Sequence, residues 1–342
     1  MGRGPSLRRR DVLAAGTAAL VAAACVRPSP PERTRPAGVP IGPFGRDSTA
    51  DEVTAGLDLS GRRVLVTGAT SGLGFETARV LAARGADVVV CGRTRDRAAA
   101  ACRSMAPGRT TPLALELEDW PGIAGAAAEV TLGGRALDVL VCNAGLMAPR
   151  ALRLVHGVEQ QFAVNHLGHF ILCGHLLASL SASSQGRVVV VSSSAMGLAP
   201  PGGIDFDNLD GSRGYDPLVM YGQSKLANAL FTVALARRMR GTRVTANALH
   251  PGVILTNLDR ATSALGRLRA RLTAWNNPRL KSVRTGAATQ VYVATAPALS
   301  AVSGHYFEDC NPIVPADRRL ADTALMDRLW TTSEALTRPY LP

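Results

Sequence analysis

The sequence predicts an α/β fold, with one parallel sheet wound by helices on both faces. Two observations carry this. Short apolar runs without period-2 polarity alternate with Ala-rich helical stretches, the pattern of strands buried on both faces. The first run leads into a glycine string that opens the first helix.

The runs are Val64–Thr67, Asp87–Val90, Pro112–Leu115, Val139–Val141, Val188–Ser192 and Val244–Ala248. The spacing predicts helices over 73–84, 95–105, 119–131, 157–181, 221–240 and 284–296. No internal repeat or second domain boundary interrupts them. Apolar residues make up 46% of the 342-residue chain and charged residues 19%, so a packed core is expected and wholesale disorder is excluded.

The formal net charge of +12 is uneven. Residues 1–46 carry +6 of it, and nearly all positive charge comes from Arg, since Lys225 and Lys281 are the only lysines. Residues 6–25 place Arg9 and Arg10 before a short apolar stretch, the outline of an export signal. Arg9-Arg10-Asp11-Val12-Leu13 resembles a twin-arginine signal, and Ala22-Ala23-Ala24-Cys25 resembles a lipobox. Residues 26–43 read as a Pro/Arg-rich linker, and the folded domain is expected over 44–342. The leader points to export or membrane anchoring, with a cytoplasmic location as the alternative. The other cysteines, Cys91, Cys102, Cys142, Cys173 and Cys310, form no CxxC pair and read as free thiols.

Thr67-Gly68-Ala69-Thr70-Ser71-Gly72-Leu73-Gly74 follows the first strand. Gly68 can turn sharply there, while Gly72 and Gly74 allow close approach of a pyrophosphate and of the helix to the strand. This is a Rossmann-type dinucleotide loop. The second strand ends in Cys91-Gly92-Arg93-Thr94-Arg95, with no carboxylate for a ribose 2′-hydroxyl. Arg93, supported by Arg97, would instead pair a 2′-phosphate, so NADP(H) is expected over NAD(H).

Tyr221 and Lys225 stand four apart at the start of a predicted helix and share its face. Upstream lie Asn165 and the strand-ending Ser192-Ser193-Ser194; downstream lie His250-Pro251-Gly252 and Thr256. With the glycine loop and Asn143-Ala144-Gly145, this order resembles the short-chain dehydrogenase/reductase family over about residues 44–340. FGRDSTADEVTAGLDLSG, VNHLGHFIL, YGQSKLAN and SGHYFEDCNP are similar to its retinol-dehydrogenase-like and WW-domain-oxidoreductase-like branch; no WW domain is present.

The resemblance implies strand order 3-2-1-4-5-6-7 and hydride transfer between nicotinamide and a carbonyl or alcohol, on a lipophilic retinoid-, steroid- or aldehyde-like substrate. It implies Tyr221 as acid/base, Ser193 on the substrate oxygen, Lys225 on the ribose and Asn165 holding a water for proton transfer. Lys225 and the oxidised nicotinamide ring, both positive, are expected to lower the Tyr221 pKa. Implied cofactor contacts are Gly68, Ser71, Gly72, Leu73, Gly74, Arg93, Glu116, Leu117, Asn143, Ala144, Gly145, Tyr221, Lys225, Pro251, Gly252, Val253 and Thr256. Glu116 stands where the family usually has Asp, and Cys142 replaces the first Asn of its NNAG turn. The competing reading is an NADP(H)-binding sensor or scaffold with little turnover. Intact Tyr221, Lys225, Ser193 and Asn165 argue against it.

His166 and His169 lie three apart, but no acid or Cys completes a metal site, so packing roles are expected. Residues 256–285 match the family's substrate lid, and 260–284 carry +7 with no acid. Leu265, Leu268, Leu272 and Trp275 form an apolar stripe there. Peripheral membrane contact and a solvated face over an apolar pocket both fit this pattern. The charge thus falls in leader and lid, and no nucleic-acid motif accompanies it. A small-molecule substrate is the expected partner, and the resemblance allows a homo-oligomer. If the leader is read by the twin-arginine route, Arg9-Arg10→Lys-Lys retains the protein in the cytoplasmic fraction; unchanged fractionation removes that reading.

Overall fold

The computed structural model describes residues 34–254 and 280–342. The expected leader with Cys25, linker residues 26–33, Thr256 and the lid up to residue 279 lie outside the described residues. The central sheet holds β1 (Arg63–Val66), β2 (Asp87–Gly92), β3 (Thr110–Ala114), β4 (Val139–Cys142), β5 (Arg187–Val191), β6 (Thr245–His250), β7 (Tyr306–Glu308) and β8 (Asn311–Ile313). Their order is 3-2-1-4-5-6-7-8. All neighbours pair in parallel except β8, which returns antiparallel on β7.

The first seven strands take the expected order, and β8 is an addition. It forms because Asp309 and Cys310 both adopt positive φ, at 52° and 59°, as a tight hairpin requires. β3 begins at Thr110, two residues before the expected Pro112. Pro112 is tolerated inside it because β3 lies at the sheet edge. β4 is buried at every position, which is why its sequence shows no alternation.

The helices are α1 (Ala50–Val53), α2 (Gly72–Ala83), α3 (Arg95–Cys102), α4 (Trp120–Thr131), α5 (Gln160–Ala182), α6 (Pro217–Arg238), α7 (Val283–Thr295) and α8 (Thr323–Thr337). α1 and α8 were not expected; Thr49 and Glu52 form a capping box around α1, and Asp322 caps α8 by accepting from the Leu325 amide. Helix α6 starts four residues before the expected Tyr221. Asp216 accepts hydrogen bonds from the Leu218 and Val219 amides, and Pro217 occupies the first turn. α5 starts after the short ribbon of Leu154–Val155 and Val158–Glu159, later than the expected residue 157. The Glu159 carboxylate caps it by accepting from Gln161 and Phe162. Its Ala163–Leu167 stretch is a π turn. α5 is long and apolar enough to cross a membrane, but 72% of its apolar window is buried within the protein. Here it is a core helix.

Side chains of α1, α2 and α7 pack on one sheet face, and those of α4, α5, α6 and α8 on the other. Four of the five cysteines among the described residues are buried, and all five are free thiols. The chain reverses its direction across the sheet between β1 and β4. Crevices at such switch points, beyond the strand carboxyl ends, are where ligands bind in this architecture.

Candidate active site

The turn after β1 occupies that switch point. Gly68 has φ +64°, and a Cβ there would lie 2.9 Å from the Ala144 Cα. Only glycine meets both demands. A Cβ on Gly74 would collide with the Asn143 amide nitrogen and the Gly68 carbonyl, so Gly74 permits α2 to pack. Gly72 has φ +57°. Ser71 makes no side-chain cap, which leaves the first amides of α2 open to an anion. Leu73 accepts from Gln290 through its carbonyl.

The Thr67 hydroxyl fixes the facing turn after β4 by accepting from the Asn143 and Ala144 amides, both at 2.9 Å. The Asn143 side chain donates to the Thr67 carbonyl at 2.9 Å. A Cβ on Gly145 would sit 3.1 Å from Asn165 Oδ1 and 3.5 Å from Lys225 Nζ. The glycine therefore keeps the space beside the lysine open. The uncapped helix, the tight Gly68 turn and this opening suit a dinucleotide running from α2 toward Lys225.

Tyr221 and Lys225 stand on α6, both buried. Lys225 Nζ lies 5.7 Å from the Tyr221 ring centroid and donates to the Val191 carbonyl at 3.0 Å. The Ser193 hydroxyl, which accepts from the Ala195 amide, faces the Tyr221 phenol and favours its ionised form. Ser192 serves a different end, donating to the Lys225 carbonyl at 2.7 Å and tying β5 to α6. The Ser194 side chain is exposed, and its amide donates to His250 Nδ1 at 3.3 Å. Asn165 Oδ1 accepts from the Leu146 amide at 2.7 Å. Its Nδ2 donates to the Leu146 carbonyl at 3.0 Å and to Ser224 Oγ at 2.9 Å. The Asn165 side chain is thus committed to positioning backbone and Ser224.

Burial sets the proton affinities. It pushes the Tyr221 phenol up to about 12, against a smaller lowering by Ser193. It pulls the Lys225 ammonium down to about 8. Without the cofactor, Lys225 alone does not bring the Tyr221 pKa down. The ammonium stands over the ring and spends a proton on Val191, while loss of water costs the phenolate more.

Arg93 is exposed at the end of β2 and makes no hydrogen bond or ion pair among the described residues. Arg95 is held by Glu129 at 2.6 Å. Arg97 is exposed, its amide bound to Thr94. Glu116 is half-buried beyond β3, its carboxyl raised by burial. Leu117 is buried against Gly168 of α5. Pro251, Gly252 and Val253 follow β6; Gly252 has φ +96° and lies over the Lys281 side chain. Lys281 is paired with Asp309 at 2.7 Å.

Three contributions escaped the sequence reading. Gly222, inside the Tyr221-Gly222-Gln223-Ser224-Lys225 motif, lets α6 meet the loop after β5, since a Cβ there would lie 2.7 Å from the Ala199 amide nitrogen. Arg319 donates to the Met196, Ala199 and Pro200 carbonyls and to Asp317, clamping the same loop. His169 links Thr67 Oγ1, at 2.9 Å, to the Asn165 carbonyl, at 3.0 Å. Gly222 carries a local signal in its motif; the other two join segments distant in sequence.

A family model described as short chain dehydrogenase matches residues 62–206. The chain is 38% identical to short-chain dehydrogenase TIC 32 B, chloroplastic, of Brassica napus over 85% of this chain and 93% of that protein. It is 38% identical to human retinol dehydrogenase 14 over 81% of this chain and 87% of that protein. A Beutenbergia cavernae crystal structure with NADP bound at low occupancy superposes with TM-score 0.57 and 28% identity. It covers 73% of this chain and 95% of that one.

The Lys225 burial has a measurable consequence. Its folded pKa of about 8 lies below the ordinary lysine value of about 10.4, so the unfolded chain binds more protons between them. Stability contributed at this position therefore rises as pH climbs from about 8 toward 10. Above about 10, Tyr221 opposes further gain, because unfolding then releases its proton. In urea unfolding, wild type should gain on Lys225→Met by on the order of 1–2 kcal/mol between pH 7.5 and 9.5. A flat or inverted difference contradicts the burial argument.

Proposed function

The chain belongs to the short-chain dehydrogenase family, and from that premise we propose an NADP(H)-dependent oxidoreductase acting on a lipophilic carbonyl or alcohol. Family membership makes it an oxidoreductase of alcohol or carbonyl groups that binds a nicotinamide cofactor. The observation that carries the catalytic reading is the convergence of the Tyr221 and Ser193 hydroxyls beside a buried Lys225.

When bound, the nicotinamide supplies or accepts the hydride. In the reductive direction, Ser193 Oγ donates to the substrate carbonyl oxygen and orients it. Tyr221 Oη gives its proton to that oxygen as negative charge develops there. Burial keeps Tyr221 protonated until the substrate needs the proton. Lys225 holds positive charge behind the phenol and would bind the ribose hydroxyls in the space beside Gly145. With its pKa lowered to about 8, it can also release a proton near neutral pH to restore the tyrosine. Asn165 positions the Leu146 backbone and Ser224, which holds the start of α6 in place. In the oxidative direction the same groups run in reverse.

The cofactor would lie from the amides of Ser71, Gly72, Leu73 and Gly74 across Asn143, Ala144 and Gly145, with Pro251, Gly252 and Val253 at the nicotinamide end. Glu116 and Leu117 would meet the adenine side. Arg93 supports the preference for NADP(H): it stands exposed just after β2, with Glu116 within electrostatic reach of its guanidinium. A lipophilic substrate is supported by Leu152, Leu154, Leu198 and Val253, which stand 40–50% exposed in the segments that follow β4, β5 and β6. The similarity to human retinol dehydrogenase 14 agrees with that character. Export by the Arg9-Arg10 leader remains part of the proposal and rests on sequence.

Tyr221→Phe should retain NADPH binding and lose about 100-fold or more in kcat, the scale of general acid–base catalysis. Turnover within a few-fold of wild type removes Tyr221 from its role. Arg93→Ala should weaken NADPH binding by about 10-fold or more while leaving NADH unchanged, as expected for one charge-assisted contact. Equal loss of both cofactors contradicts the assignment.

A further inference from the structure

His169 is 2% exposed, and both its ring nitrogens have partners. Nδ1 lies 3.0 Å from the Asn165 carbonyl oxygen. A carbonyl only accepts, so Nδ1 carries a proton. Nε2 lies 2.9 Å from the Thr67 hydroxyl. That hydroxyl already accepts from the Asn143 and Ala144 amides, which fill both its lone pairs. Its proton faces Nε2 at 2.9 Å and the Val141 carbonyl at the longer 3.3 Å; Nε2 is the closer acceptor, and with Nδ1 protonated His169 is the neutral Nδ1–H tautomer. Burial, with a smaller contribution from the Lys225 charge, lowers its pKa to about 4 and keeps it neutral at pH 7.

Two groups of contacts meet at this ring. On one side Thr67 holds the Asn143-Ala144 turn, which lines the cofactor crevice. On the other, Asn165 stands in the π turn of α5. Its side chain donates to Ser224 Oγ, which donates to the Tyr221 carbonyl at 2.8 Å. The histidine is thus the link between the cofactor turn and the second turn of α6.

We propose that His169 is a positioning residue that holds the cofactor turn and the catalytic helix in register through these two hydrogen bonds. The proposal rests on the oxidoreductase reading above for its kinetic consequences, though not for its tautomer. It touches no reacting atom and acts through Thr67 on binding and through Asn165 on Tyr221.

Two near-isosteric variants separate these effects. His169→Asn keeps a donor near Nδ1 and drops the Thr67 contact. It should weaken NADPH binding about 10-fold and leave kcat for phenanthrenequinone reduction within about 2-fold. His169→Gln keeps an acceptor near Nε2 and drops the Asn165 contact. It should leave NADPH affinity within about 2-fold and lower kcat about 10-fold. Identical profiles for the two variants, or changes confined to Tm, overturn the proposal. Nitrogen-15 NMR of histidine-labelled wild type at pH 7 tests it without substrate. An Nδ1–H signal for His169 is expected, and an Nε2–H or charged ring overturns it. A wild type that shows the Nδ1–H tautomer but binds neither NADPH nor NADH counts against the oxidoreductase reading instead. In that case the variants are compared by amide exchange at Asn143 and Ala144. Faster exchange in His169→Asn than in His169→Gln is expected, and equal exchange overturns the proposal.

Discussion

The burial of one amine constrains this site more than any other interaction. Lys225 must stay within hydrogen-bond reach of the Val191 carbonyl, at the end of β5, with little water to solvate its charge. That is costly, and the lowered pKa measures the cost. The cost is tolerable only because α6 is fastened closely to β5 on several sides. Ser192 donates to the Lys225 carbonyl, Asn228 donates to the Val191 carbonyl, and Gly222 admits the loop backbone where any side chain would collide. Tyr221 is then fixed by its place one turn before the lysine.

Sheet topology supplies the other half. The reversal between β1 and β4 brings the Thr67 turn against Asn143 and Ala144, and the glycines at 68, 74 and 145 keep that crevice free of side chains. One edge of the sheet thus collects an uncapped helix N-terminus, an opening beside an ammonium and the Ser193 and Tyr221 hydroxyls, the geometry of the proposed site. Among the described residues, several arginines are spent away from this crevice. Arg187 is buried at the start of β5, and Arg95, Arg109 and Arg135 are paired with carboxylates.

Much of the fold was legible because strands buried on both faces write themselves as uninterrupted apolar runs. The strands from β1 to β6 fall within about two residues of those runs. The start of α6 was misplaced because its stop-and-start signal, Asp216-Pro217, sits before the motif that attracted attention. β8 and α1 are too short to show a period. The glycine loop and the Tyr221/Lys225 pair were legible as local patterns. The His169–Thr67 contact was not, since it joins positions 102 residues apart. The depth at which Tyr221 is buried was not legible either: a nearby positive charge can be read from sequence, but burial cannot.

The central claim is that this site transfers a hydride rather than merely holding a cofactor. Incubation with NADPH deuterated at the transferable C4 position, across retinoid, steroid, aldehyde and quinone carbonyls, tests it directly by mass spectrometry of the products. The account predicts deuterium on the reduced carbon of at least one product, and its loss in the Tyr221→Phe variant. Cofactor binding with no deuterium delivered to any of these carbonyls would contradict it and favour a binding protein.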